Sequence, residues 1–468
     1  MSTFTPKAVS VFNVQEYGAT GNKEENARSA ISRAIEACAS NGGGVVYFPP
    51  GDYTSGTIHL RSHVRIFLEA GATIYSSKDP SSFDKRGLFY GEDIENITIE
   101  GHGTVDGQAE YEWRLMDMKD WYIYPNQVRW EAAGYPLMRS FPTSNSVGHL
   151  VLLIRCKDIH ITGLSFLHSP SWTMHLWGCE RLVIDGIYIY TSLRDGVWAD
   201  GIDPDGCKDV RINNCTIETG DDALVFYSSS IYGPALPCEN ITVTNCRFSS
   251  ASSALKFCDG NLNAIRNVTI DNCVITGSNR GIAFMVFDGG VVENIIISNM
   301  TIECKRFDWF WWGDGDPLHF NLIQRSEIDP NIDKTKEPPV GKIRNVHIQN
   351  IFARGIGACL IHGHKESPLE NISFENVRLE IVSDADSPLQ KSPNALTIEN
   401  AKTIRLKGFE IVWEPPVAQA FQRTLMIENV HDLILDTVIA KPVPNGLNET
   451  AVVLKAVDGL LERNFVNK

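Results

Sequence analysis

The sequence has 468 residues, 43% hydrophobic and 21% charged, which is enough apolar material for a large core, and no run of 18 apolar residues spans a membrane. A formal net charge of −15, with no block of Lys or Arg, argues against nucleic-acid or anionic-membrane binding. Eleven dispersed cysteines without a CxxC pair argue against a zinc cluster or a disulfide framework and read as buried thiols. Together with the missing apolar leader in Met1 to Val14, they point to a cytoplasmic location.

The first predicted element is a helix over Glu25 to Cys38, with Ala27, Ile31, Ala34, Ile35 and Cys38 on one face. Gly42-Gly43-Gly44 stops it and the strand VVYF follows. From Glu95 onward a strand-like segment recurs: ENITIEG, KDIHITG at Lys157, ERLVIDG at Glu180, KDVRINN at Lys208, ENITVTN at Glu239, RNVTIDN at Arg266, ENIIISN at Glu293, RNVHIQN at Arg344 and ENISFEN at Glu370. KTIRLKG at Lys402 and HDLILDT at His431 are weaker copies. From Lys157 the starts lie 23–32 residues apart, except for one gap of 51 that fits two coils or one coil with a long loop. Each copy alternates apolar and polar residues, and no helical pattern separates the copies.

Strands at this period predict an all-β fold, a parallel β-helix whose coils bury their apolar faces by stacking, in one domain over residues 1–468. Residues 1–75 supply the cap and first coils, with the helix covering the open end. Asn214, Asn245, Asn272, Asn299, Asn350 and Asn376 share one column, where stacked amides bond along a ladder about 4.8 Å apart. Cys215, Cys246 and Cys273 follow in the next column and read as an apolar stack. Two stretches interrupt the repeat, residues 108–146 and 304–339. Both are rich in aromatic residues and are expected to be functional loops on a rigid scaffold.

The densest chemical signal is WADGIDPDGC followed by TGDDALVF. Asp200 and Asp221 lie 21 residues apart, close to one coil, so they are expected on neighbouring rungs. Asp221 and Asp222 would face opposite sides of a regular strand, and Gly220 offers a bend that brings both to one face. Such a cluster either holds a hard cation or performs paired acid/base chemistry, glycoside hydrolysis above all. Asp203, Asp205 and Asp209 read as solvated turn aspartates.

FNVQEYGATGN, GGGVVYFPPGDYTSGTIHLRSHVRIFLEAGATI, GHGTVDGQ, LHSPSWTMHLWGC and DGIDPDGCKDVRINNCTIETGDDALVF, in that order, resemble the polygalacturonase-like glycoside hydrolase family 28 over about Phe12 to Ala440. The resemblance implies a right-handed parallel β-helix and inverting hydrolysis without a metal or other cofactor. It also implies Asp221 as general acid, with Asp200 and Asp222 positioning and deprotonating the water. The separation usual for inverting carboxyls, about 6.5–9.5 Å, is expected to fit neighbouring rungs.

The sequence departs from the family where substrate carboxylates are read. Asn-Thr-Asp-Gly is Trp198-Ala199-Asp200-Gly201, Ser252 stands at the His of Gly-His-Gly, Arg-Ile-Lys is Ala283-Phe284-Met285, and Tyr227 replaces a Lys. Lys256 and Arg280 are the nearest substitutes. Trp172, His175, Trp198, Trp311 and Trp312 are candidate sugar contacts. The expected activity is exo-hydrolysis of a neutral or deoxy sugar, rhamnose or galactose for example, from plant-type oligosaccharides. An exo-polygalacturonase, a calcium-dependent lyase and a non-catalytic carbohydrate-binding β-helix are the alternatives, and an epimerase is disfavoured by the resemblance.

Overall fold

The computed structural model describes residues 9–111, 113–115, 140–142, 148–307, 313–329, 331–382, 393–415, 421–444 and 450–465. Its one α-helix among these residues, α1 (Arg28–Ser40), turns Ala30, Ile31, Ala34, Ile35 and Cys38 onto the first coils. Covering that end removes a bare core face and a run of unpaired backbone groups. Thirty-five of the described strands form one continuous sheet, paired in parallel from Val11–Asn13 to Leu461–Arg463. This is the parallel β-helix that the repeats predict, with the right hand that the resemblance implies. The gap of 51 residues is one coil with a long loop, since Glu293 pairs directly with Arg344.

The predicted asparagine column is a ladder with one break. Asn245 donates to Asn214 and Asn272 to Asn245, at 3.3 and 2.7 Å. Asn299 turns to Asp271, and the ladder resumes through Asn350 and Asn376. All six hold φ between 53° and 56°, the left-handed region that Asn tolerates because its short side chain bonds locally. A second ladder, Asn240–Asn267–Asn294–Asn345–Asn371, runs beside it. The eleven cysteines are buried and unpaired, as expected.

One face of the solenoid positions the chemistry. Its strands are β1 (Gly87–Glu92), β2 (His149–Ile154), β3 (Met174–Trp177), β4 (Ile202–Asp205), β5 (Leu224–Phe226), β6 (Ser253–Phe257), β7 (Arg280–Val286) and β8 (Asp316–Leu322), each paired with the next. Alternate residues point to opposite sides. Inward, Phe226, Phe257, Phe284 and Phe320 stack with ring centroids 5.0, 4.3 and 4.1 Å apart. The opposite side carries the column His175, Asp203, Val225, Lys256, Ala283 and His319.

Candidate active site

Asp200 ends the turn into β4, and Asp221 and Asp222 form the turn into β5. The backbone N–H of Gly201 donates to the Asp222 carbonyl at 2.9 Å, which ties the two turns together. Gly220 makes the second turn possible by its bareness: a Cβ there would lie 2.3 Å from the Ser192 carbonyl oxygen and 2.5 Å from that of Gly196. Thr219 and Ser250 hydroxyls hold the Asp221 carbonyl at 2.7 and 2.6 Å. The turn brings Asp221 and Asp222 to one place, as the sequence suggests. One carboxylate oxygen from each of Asp200, Asp221 and Asp222 lies within 4.8 Å of the others, and all three residues are buried.

Two of the carboxyls are sequence neighbours on one turn and the third is a coil-spacing away, so the trio is no wider than a single rung. The three oxygens also make a cation-sized acidic cluster, in which the Lys256 ammonium already supplies positive charge.

Each carboxylate has its own surroundings. Asp221 Oδ1 accepts the Asp222 N–H and Oδ2 the Trp198 N–H, both at 3.1 Å. Asp222 Oδ1 accepts the Ser252 hydroxyl at 2.6 Å and the Ser253 N–H at 2.8 Å, while Oδ2 accepts Lys256 Nζ at 2.8 Å. Burial raises the Asp200 carboxyl well above the usual range; Asp221, Asp203 and Asp222 raise it further, and Lys256 opposes them. Burial raises Asp203 too, and a hydrogen bond with Asp200 pulls it partly back. As two fixed anions, Asp200 Oδ1 and both Asp203 oxygens would have no partner. A proton shared between the two carboxyls removes that conflict.

Asp203 and Asp205 are therefore not solvated turn residues. Both are wholly buried, and of the three only Asp209 is exposed. Asp205 accepts the Ser229 N–H at 2.7 Å and the Ser229 hydroxyl, and faces His175 Nε2 at 3.2 Å. This contact orients the His175 ring.

Beside the trio, on its N-terminal side, lies a cavity of about 240 Å³ lined by Arg86, His149, Trp172, His175, Trp198 and Tyr232, among others. The Trp172 ring stacks on Tyr227, centroids 4.9 Å apart, and meets His175 edge-on at 4.7 Å. Tyr227, at the position of the family Lys, is thus packing for Trp172; burial raises its phenol well above the ordinary range. Burial likewise pushes His149 far down, with His175 and Arg86 adding to it, so that it is a neutral ring. Trp198 holds φ +61°, a conformation costly for a non-glycine residue, and from it places its N–H on Asp221 and its ring on the cavity wall. A second cleft of about 510 Å³ continues past Arg86 and Tyr232 to Asp84, Lys85, Tyr90 and Glu92.

The structure thus brings Asp200, Asp221, Asp222, Trp172, His175 and Trp198 together. Lys256 joins the carboxylates themselves, bonding Asp222. Arg280 is buried two coils beyond Asp222, its Nε 3.8 Å from Asp316 Oδ2. Trp311 and Trp312 lie outside the described residues. In place of Arg-Ile-Lys, Ala283 and Met285 form a small apolar cluster with Phe287 and Ile323. Sequence reasoning missed His149, Tyr232, Lys85 and Arg86. For the last two a signal existed: they precede a groove strand, as Asp200 does.

The chain resembles several known proteins. It is 28% identical to a probable polygalacturonase of Vitis vinifera over 51% of this chain and 49% of that protein. It is 27% identical to an exopolygalacturonase of Platanus acerifolia over 51% of this chain and 56% of that one. The chain thus spans about half the length of the curated relatives it matches. The solved exopolygalacturonase of Thermotoga maritima superposes with a TM-score of 0.65 at 21% identity, over 86% of this chain and 92% of that one. The family 28 exopolygalacturonase of Yersinia enterocolitica gives 0.68 at 15% identity, over 99% of this chain and 80% of that one. At these identities the two structures speak for the fold alone. The profile of glycosyl hydrolases family 28 matches residues 38–305, more than half of the sequence. By that match the chain belongs to glycosyl hydrolases family 28.

Proposed function

We propose that the chain hydrolyses the O-glycosidic bond of an oligosaccharide, removing one sugar from a chain end. The observation that carries the reading is the trio of buried carboxyls, with oxygens within 4.8 Å, beside an aromatic cavity suited to a single ring. Asp221 protonates the leaving oxygen, and Asp200 with Asp222 hold and deprotonate the water. Asp222 is engaged by donors on both oxygens, which suits it to orienting a water better than to attacking carbon, and this supports inversion of the anomeric centre. NMR of the first product anomer tests the point, and retention would refute inversion.

A second assignment has its own support: Asp200, with its raised carboxyl, as the acid. Activated aryl glycosides separate the two, because a good leaving group needs no protonation. The acid's Asn variant keeps its rate on such a substrate, and the base's variant does not.

The cleaved sugar is neutral or deoxy in this reading. At the Arg-Ile-Lys positions Ala283, Phe284 and Met285 carry no charge, and the two buried cations nearby are already engaged, Lys256 by Asp222 and Arg280 by Met285 Sδ at 3.5 Å and by Asp316. The exo-polygalacturonase alternative draws support from the named relatives and from Lys85 and Arg86 in the outer cleft. Rates on polygalacturonate against a panel of neutral aryl glycosides and rhamnose- or galactose-terminated oligosaccharides decide between them. Faster cleavage of polygalacturonate would reject the neutral sugar. Early release of mixed-length fragments would reject exo-action.

A further inference from the structure

We propose that Lys256 is a positioning residue of the hydrolytic site: its ammonium orients the Asp222 carboxylate toward the water and does not read the substrate. The proposal rests on the hydrolytic reading above. Lys256 sits mid-strand in β6, flanked in register by Val225 and Ala283, and is 7% exposed. An ammonium so buried is costly unless paired and bonded. Its Nζ lies 2.8 Å from Asp222 Oδ2 and 3.7 Å from Asp259 Oδ1. Because Ser252 and Ser253 hold the other Asp222 oxygen, the carboxylate is pinned at both ends and its plane is fixed.

The ammonium is itself held from behind. Arg325 Nη2 lies 3.2 Å from Asp259 and 2.6 Å from Asp288. Burial opposes the ionised Asp259, yet Lys256 and Arg325 together bring it down to about 2. Charges therefore alternate along Asp222, Lys256, Asp259, Arg325 and Asp288. In this row Lys256 is the link between a carboxylate of the trio and a rigid ion-pair network. Buried to 7% exposure and flanked by two carboxylates, the ammonium has little surface left to offer a substrate.

The test uses Lys256→Met, which keeps length without charge, and Lys256→Arg, which keeps charge. On a confirmed substrate, Lys256→Met should lower kcat about 10–100-fold, as expected for a misaligned catalytic group, and leave KM nearly unchanged. The acid limb of its pH profile should move upward, because Asp200 also loses the charge that opposes its elevation. Lys256→Arg should recover part of kcat. A raised KM with kcat intact, or an unmoved pH profile, would overturn the proposal and leave the hydrolytic reading standing. Unfolding gives a readout free of activity. If Lys256 partners Asp259, whose carboxyl it helps hold down at about 2, the stability gap between wild type and Lys256→Met is full above about pH 4 and narrows as pH falls toward 2. A gap independent of pH would overturn the pairing even if the wild type cleaved nothing in the panel, the outcome that would sink the hydrolytic reading instead.

Discussion

Replacing Asp200 with Asn should stabilise the fold and abolish most of the activity. Burial and three acidic neighbours raise the Asp200 carboxyl in the folded chain. Above the pKa of the unfolded chain, about 3.9, the folded state therefore binds a proton that the unfolded state lacks, and stability falls as pH rises. The loss is complete only once pH passes the folded value. An amide removes that titration and also offers an N–H toward Asp203, whose oxygens otherwise depend on the shared proton. Relieving one unsatisfied buried polar group is worth about 1–3 kcal/mol. The variant should thus gain about 1–3 kcal/mol at pH 8, and the gain should shrink toward zero near pH 4. Denaturant unfolding at half-unit intervals from pH 4 to pH 8 reads it directly. On a confirmed substrate the same variant should lose about 10²–10⁴-fold in kcat. A variant less stable than wild type at pH 8, or a gain that does not grow with pH, would refute the electrostatic account of the trio.

The fold was legible because the solenoid repeats its own logic. A two-residue alternation gave the strands, and a repeat near 27 residues gave the coils. The Asn column gave their register, since only stacked coils place Asn245 on Asn214 and Asn272 on Asn245. The second ladder was in the same motif, at its second residue, but Asp158, Arg181 and Asp209 share that left-handed position and hide the column. The break at Asn299 had no signal, because Asp271 competes for its amide only once the coils are stacked.

The site was legible where it depends on chain spacing and obscure where it depends on burial. Asp200, Asp221 and Asp222 follow from one-coil spacing and a tight Gly-Asp-Asp turn. Asp203 and Asp205 look like ordinary turn aspartates in sequence, but both belong to strand β4, which sets them on the side that carries His175 and Lys256, where neighbouring coils bury them. The partner of Lys256 was hidden for a different reason: Asp222 is 34 residues away, and only the coil register brings the two charges together.

Four further expectations are measurable. Asp221→Asn should lose about 10²–10⁴-fold in kcat on natural glycosides and much less on an activated aryl glycoside; equal losses on both would deny it the acid role. Chelation with EDTA or addition of Ca²⁺ should leave the rate unchanged, since the Lys256 ammonium already counters the trio's charge; calcium dependence would favour a lyase. Asn245→Ala should cost about 1–3 kcal/mol through two lost ladder bonds and a left-handed Cβ, and Asn245→Gly should cost less, because φ is +56° there; equal costs would remove the backbone from the argument. The last concerns charge in the outer cleft. Asp84 pairs with Arg28, and Glu92 and Asp93 share Arg155, whereas Lys85 and Arg86 have no ion pair among the described residues, so four cations face three carboxylates. That leaves net positive charge one cleft away from the trio in an acidic chain. Arg86→Ala should therefore raise KM about tenfold for oligosaccharides carrying a uronate next to the cleaved sugar, less at high salt, and leave neutral substrates untouched. An equal effect on both substrate types would make Arg86 a wall of the cavity and leave the outer cleft without a charge preference.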